Sequence, residues 1–359
     1  MIITQAEVMQ RIKTNCKWKY IEYSLYNSKD TYYNLRKILS FNLPINIIIG
    51  ARGMGKSFAV KKQILSEYLN DPIHSFVWVR ETADAVSMLT KNGGIKFTED
   101  IPLMRLDIDD INVNRGVCKI NKNFAGEFMS ASTYQKFKGG SYVKTRNLVI
   151  DEFIPERTTV KKITPEAIIN TMSTVVRSRN SGRIYMMANA IDRADPFLDS
   201  LGLELGDFGF YVNRLAGVVL HYADNSADFN AVNSQGIVGR LMLNTKMNHY
   251  ADNIMFANFN DDSTLIFEKM PSKCKLFIIL ETPLQQARIY QGDGHLWVTP
   301  DVDPDMYLHK RYVINTMDAK IFKPVLPLLI KKKLKENLQN NNFRFQSNFL
   351  KKFINDVLK

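Results

Sequence analysis

Gly50-Ala51-Arg52-Gly53-Met54-Gly55-Lys56-Ser57 sits between a β-branched run and a segment of helical spacing. The run before it, Ile45-Asn46-Ile47-Ile48-Ile49, reads as a buried strand, and Phe58 to Leu65 after it reads as a helix. The octapeptide fits G-x-x-x-x-G-K-[ST]. The strand–loop–helix setting separates a phosphate-binding loop from a chance glycine turn. Glycines let backbone N–H groups close around phosphate oxygens, and the helix start adds the positive end of its dipole. All eight residues, Gly50 to Ser57, are therefore candidate nucleotide contacts. Lys56 is expected at the β and γ phosphates, and the Ser57 hydroxyl on a magnesium ion.

Such a loop belongs in a helix-flanked, mostly parallel sheet, and the chain supplies further strands for one. Phe76 to Arg80, Leu148-Val149-Ile150 and Ile184 to Ala188 are short apolar runs separated by helical stretches. Gly116 to Ser130 alternates around Asn121-Lys122-Asn123 and reads as a β-hairpin. Residues 1 to about 40 read as helical, with an aromatic cluster that packs on the nucleotide domain or on a neighbouring subunit. In parallel sheets chemistry collects at the carboxyl ends of the strands. Gly50, Asp151 and Asn189 all fall there.

Hydrolysis needs a held metal, a positioned water and positive charge on the transition state. Asp151, ending the Leu148–Ile150 strand, is the second magnesium candidate. Glu152, one residue on, is placed to polarise the attacking water. Asn189 ends the next strand, where a side chain can touch both the γ-phosphate and that water. Capping its own turn is the alternative role. The run Arg177-Ser178-Arg179-Asn180-Ser181-Gly182-Arg183 precedes that strand. In ring ATPases this position faces the adjacent subunit's nucleotide, so one of its three arginines is a candidate arginine finger, with a solvated charge or dipole cap as the alternative role. Lys136 and Lys138, before Gly139-Gly140, form a second group facing a neighbouring subunit or DNA. Arg52 and Arg80 are also within reach of phosphates.

The chain carries 48 Lys and Arg against 36 Asp and Glu, a net charge of +12, which favours a polyanionic partner such as nucleic acid. From Lys331 to Lys359, eight basic residues face two acids, so half of the net charge lies in the last twenty-nine residues. That end reads either as a solvated tail or as a nucleic-acid or particle-docking surface. Phe349, Leu350, Phe353, Ile354, Val357 and Leu358 recur at helical spacing and predict a packed helix with a basic outer face. No apolar run reaches bilayer-spanning length, and the charged N-terminal stretch predicts no secretion signal. Cys16, Cys118 and Cys274 are odd in number and widely spaced, which fits a reducing compartment.

From about Tyr222 the character changes. Asp224 to Ser263 is rich in Asn, Asp and Ser, with a helix expected around Ile237 to Met247. Lys275 to Leu280, Ala287 to Tyr290 and His295 to Val298 read as strands, with helices expected from about Pro324.

The motifs Gly50–Ser57, Val149-Ile150-Asp151-Glu152-Phe153-Ile154, Arg177-Ser178-Arg179 and Ala188-Asn189-Ala190 closely resemble the DNA-packaging ATPase of small podophages, the phi-29-type encapsidation protein. The match is clearest from about Tyr32 to Tyr222. The resemblance implies an α/β RecA-like ASCE P-loop ATPase domain over 1–222, with an N-terminal extension. A linker subdomain over 223–262 follows, then a small α+β, basic, RNase H-like domain over 263–359. It implies ATP and Mg2+ as cofactors, with Lys56 and Ser57 as the Walker A pair, Asp151 as the Walker B acid and Glu152 as the catalytic glutamate. Arg177 stands at the family's trans-acting finger and Lys138 at a family lysine that acts between subunits. A pentameric ring at the procapsid portal in the host cytoplasm, moving double-stranded DNA, is implied in turn. Some relatives add a structural RNA.

The strand expected from Leu276 to Leu280 has no central Asp, in keeping with a lost nuclease site. Glu281, Asp293, Asp301, Asp303 and Asp305 around the turns leave an active terminase-like nuclease open as an alternative. A nucleotide-switched DNA-binding protein is the other; Glu152 beside Asp151 argues against it, because a switch needs no water-polarising base.

Overall fold

The computed structural model describes residues 18–137, 140–154, 164–177, 182–189, 196–203, 205–244, 269–282, 286–301, 310–314, 324–340 and 342–358. The readings on 1–17, Lys138, Arg179, Asp303 and Asp305 lie outside the described residues. The chain divides into two compact units, 1–192 with 205–259, and 193–204 with 260–359.

The first unit is built on one large sheet. In spatial order its strands are β1 (Lys19–Glu22), β9 (Gly209–Asn213), β10 (Val218–Tyr222), β2 (Ile45–Gly50), β8 (Arg183–Asn189), β7 (Thr145–Asp151), β3 (Ser75–Arg80), β6 (Asn123–Ser130), β5 (Val117–Ile120) and β4 (Ile111–Asn114). The six strands from β10 to β6 run parallel, and antiparallel strands close both edges. The central strands β2, β7 and β8 are buried on both faces, which is why they read as continuous apolar runs. The Lys56–Asn70 helix lays Val60, Ile64 and Leu65 into a core that includes Ile48, Trp78, Val149 and Met187.

The strand order decides the site. β8 lies between β2 and β7, so the phosphate-loop strand and the acidic strand are separated by the strand that ends in Asn189. The expected hairpin forms between β5 and β6. Asn121 and Lys122 take φ values of 50° and 68°, the paired left-handed conformation of a tight hairpin turn.

The helical expectation for the N-terminal segment is corrected over its described part. Lys19–Glu22 is an edge strand antiparallel to β9, and only Arg36–Leu39 makes a single helical turn. The exposed edge of β9 offers backbone groups that need partners, and β1 supplies them. The chain then crosses the end of β10, where Asp224 accepts hydrogen bonds from Leu25 N and the Ser24 hydroxyl. The aromatic cluster packs within the same unit: Tyr23 lies on Phe210, and Tyr33 bonds His221.

The second unit carries a smaller sheet, ordered β14 (Arg311–Val313), β11 (Lys275–Glu281), β12 (Gln286–Gly292), β13 (His295–Pro300) and β15 (Phe343–Phe345). The Leu328–Gln339 and Asn348–Leu358 helices bury Leu334, Leu350, Phe353 and Ile354 in its core with Ile289 and Val298. β14 and β15 escape sequence reading because three residues show no period. The Ile237 helix is observed to Leu243; residues 245–247 lie outside the described residues. No helix among the described residues is long and apolar enough to cross a membrane.

Candidate nucleotide site

The loop after β2 turns back tightly on itself. A β-carbon at Gly50 would lie 2.5 Å from Met54 Sδ and 3.1 Å from the Ala223 carbonyl oxygen, so a larger residue would have to push the Met54 thioether aside and crowd that carbonyl. Gly53 and Gly55 take φ values of 79° and 92°, and Gly55 is the residue from which the Lys56–Asn70 helix starts. Gly53, Gly55, Lys56 and Ser57 line a cleft of about 250 Å³, faced by Asp151, Glu152 and Asn189.

Lys56 is a buried cation of this cleft. Its Nζ donates to the carbonyls of Gly50 at 2.9 Å and Ala51 at 2.6 Å, and to Asn189 Oδ1 at 3.2 Å. Burial lowers its pKa to about 8, against the opposing pull of Asp151 and Glu152. Asn189 reaches Lys56 because Gly50 and Asn189 are direct neighbours in the β2–β8 register.

Asp151 ends β7, and only 5% of it is exposed. Its Oδ1 accepts a long hydrogen bond from the Ser57 hydroxyl at 3.4 Å. A hydroxyl beside a carboxylate is a hard oxygen pair. It suits magnesium, which takes one or two protein oxygens and completes its shell with water and phosphate. No group of three or more His, Cys, Asp or Glu that could cage a metal occurs among the described residues. Ser57 and Asp151 would thus hold the ion only together with a bound phosphate.

Arg80, placed by the sequence within reach of phosphates, grips the acids instead. Its Nη1 lies 2.8 Å from Asp151 Oδ2 and its Nη2 2.7 Å from Glu152 Oε2. Consecutive residues on a strand project to opposite faces. Glu152 escapes that rule by taking φ 58°, a left-handed conformation that costs a non-glycine residue about 1–3 kcal/mol. The turn brings both carboxylates to one guanidinium. Arg80 lies at the end of β3, next to β7 in the sheet. Its strand-end position is the signal that the sequence offers, since the pairing of β3 with β7 is not local.

Arg177 does not line this cleft. It follows the Pro165–Val175 helix with φ 52° and donates to the Gly140 carbonyl at 2.6 Å. The bond ties the end of that helix to the loop that follows Lys138.

Just past β13 of the smaller sheet, the Asp301 side chain is fully buried between two guanidinium groups, Arg288 Nε at 2.7 Å and Arg311 Nη1 at 2.6 Å. Arg311 also pairs with Glu281 at 3.4 Å. A metal site built on Asp301 would have to displace both arginines.

The model of the podovirus DNA encapsidation protein (Gp16) family matches residues 27–355. The chain belongs to that family. A DNA packaging protein of Bacillus phage B103 is 26% identical over 271 residues, covering 74% of this chain and 81% of the relative. That of Bacillus phage phi29 is 27% identical over 249 residues, covering 69% and 71%. A chain of the bacteriophage Phi-29 genome packaging motor assembly shares the fold, with a TM-score of 0.63 at 20% identity, over 92% of this chain and all of that one. The Phi-28 gp11 DNA packaging motor follows at 0.59 and 20%, over 91% and 97%.

Proposed function

We propose that this chain is the ATP-hydrolysing subunit of a viral motor that drives double-stranded DNA into a procapsid. The observation that carries the reading is the convergence of Lys56, Ser57, Asp151, Glu152 and Asn189 on one cleft at the carboxyl ends of β2, β7 and β8. ATP with Mg2+ is the cofactor set, with Ser57 and Asp151 holding the metal beside the bound phosphates. When bound, magnesium would supply neutralisation of the negative charge on the phosphates. Lys56 binds the phosphates, Asn189 contacts the γ end, and Glu152, once clear of Arg80, orients and deprotonates water. Arg177, and Lys138 beyond the described residues, act on a neighbour's nucleotide in a homo-oligomeric ring, a pentamer by the family resemblance. The ring works at the portal vertex in the host cytoplasm.

The relatives' names as DNA packaging proteins, and the positive net charge, support DNA as the cargo. The test is ATP turnover with and without double-stranded DNA, at several protein concentrations. Turnover should rise with DNA and with assembly. It should also fall steeply with salt, because each phosphate contact contributes roughly −0.9 to the log–log slope. DNA-independent turnover, or salt-independent DNA binding, would count against a motor that grips the DNA backbone. The nuclease alternative is read by plasmid cleavage with magnesium or manganese. The two arginines on Asp301 weigh against it.

Nucleotide affinity should depend on pH through Lys56. In the free protein its ammonium loses its proton near pH 8. A bound triphosphate adds negative charge and raises that pKa, so the complex keeps a proton that the free protein has lost. Above pH 8, binding must take up a proton, and affinity falls up to about tenfold per unit. Below pH 8 this contribution is flat. Calorimetric titrations from pH 7 to 9.5 check both the fall and the proton uptake.

A further inference from the structure

We infer that Tyr32 is the base-stacking residue of the nucleotide site, an inference that rests on the nucleotide reading above. The γ end of a triphosphate is fixed by Lys56, Asn189 and Glu152, all toward β8 and β7. On that reading the nucleoside lies on the other side of β2, toward β10, the neighbour of β2 away from β8. Two aromatic rings stand against the loop there. Tyr32 Cβ lies 3.3 Å from where a β-carbon on Gly55 would be, and Phe229 Cζ lies 3.9 Å from the corresponding point on Gly53.

The backbone on both sides of Tyr32 is tied down. Tyr33 N donates to the Met54 carbonyl at 2.8 Å, and the Ser226 hydroxyl donates to the Thr31 carbonyl at 2.8 Å. Ser226 also caps the Ala227–Gln235 helix through Phe229 N, which places the Phe229 ring. Phe229 is buried and meets Tyr32 edge to face, with centroids 6.0 Å apart and planes at 71°. Tyr32 itself is 53% exposed. A large aromatic side chain is thus held beside the phosphate loop from three directions while much of its surface stays open to solvent. That is the form of a stacking platform, which accepts any base and favours the larger purines.

Tyr32→Ala is expected to weaken ATP binding about tenfold, while the affinity for inorganic tripolyphosphate stays at the wild-type value, both with magnesium present. Tyr32→Phe keeps the ring and should bind ATP as the wild type does. The preference for ATP over CTP should shrink in Tyr32→Ala. Equal losses for ATP and tripolyphosphate would overturn the inference, because the ring would then only brace the loop. So would unchanged ATP affinity in Tyr32→Ala. Wild-type protein that binds neither ligand would instead sink the nucleotide reading itself.

Discussion

Glu152→Gln is expected to cut ATP turnover by about 10²–10⁴-fold, the contribution of a positioned general base, while ATP still binds. The side chain keeps its size and can still accept a hydrogen bond from Arg80, now 2.7 Å from Glu152 Oε2. It loses the basicity that deprotonates water. Lys56, Ser57 and Asp151, which carry the phosphates and the metal in this reading, are untouched, so the substitution separates binding from chemistry. Steady-state turnover beside a nucleotide-binding isotherm measures both. Normal turnover in the variant would remove Glu152 from the mechanism. The left-handed backbone at Glu152 is kept by glutamine, so the comparison is free of a change in turn geometry.

Removing Arg177 is expected to cost more, about 10³–10⁵ in turnover if its charge meets the transition state, equivalent to about 4–7 kcal/mol of barrier. The local structure supplies an unusually clean substitution. Arg177 sits just past the end of the Pro165–Val175 helix at φ 52°, where glycine is the preferred residue. Arg177→Gly removes the guanidinium and its bond to the Gly140 carbonyl but relieves backbone strain of about 1 kcal/mol. The melting temperature should hold while activity is lost. The trans assignment is read by mixing. Glu152→Gln subunits bring an intact arginine, and Arg177→Gly subunits bring an intact glutamate. In the proposed ring, mixed assemblies contain some interfaces with a complete set, so turnover should reappear in mixtures of two inactive proteins. No recovery at any ratio would take away the trans role.

The site is legible in the sequence in unequal parts. The phosphate loop, the acids and the strand-end asparagine can be read because each sits where a short apolar run stops, and burial on both faces writes such runs plainly into the sequence. Arg80 is visible only as another strand-end charge. Its grip on Asp151 and Glu152 depends on β3 lying beside β7 and on a backbone reversal at Glu152 that no periodicity announces. The N-terminal segment reads as helical, whereas the open edge of β9 pairs Lys19–Glu22 as a strand.

The sequence by itself determined the loop and the strand and helix that flank it. Gly50, Gly53 and Gly55 shape the tight loop that leads into the Lys56–Asn70 helix through local backbone geometry, and Ile47 to Ile49 before them are buried. Tertiary structure decided which groups meet in it. β8 inserted between β2 and β7 carries Asn189 onto Lys56, and residues some seventy positions apart share one ion pair at Arg80. The N-terminal segment returns across β10 to stand Tyr32 against Gly55. These are contacts between distant parts of the chain, set by strand pairing and by the need to satisfy sheet edges. A local pattern carries no record of them.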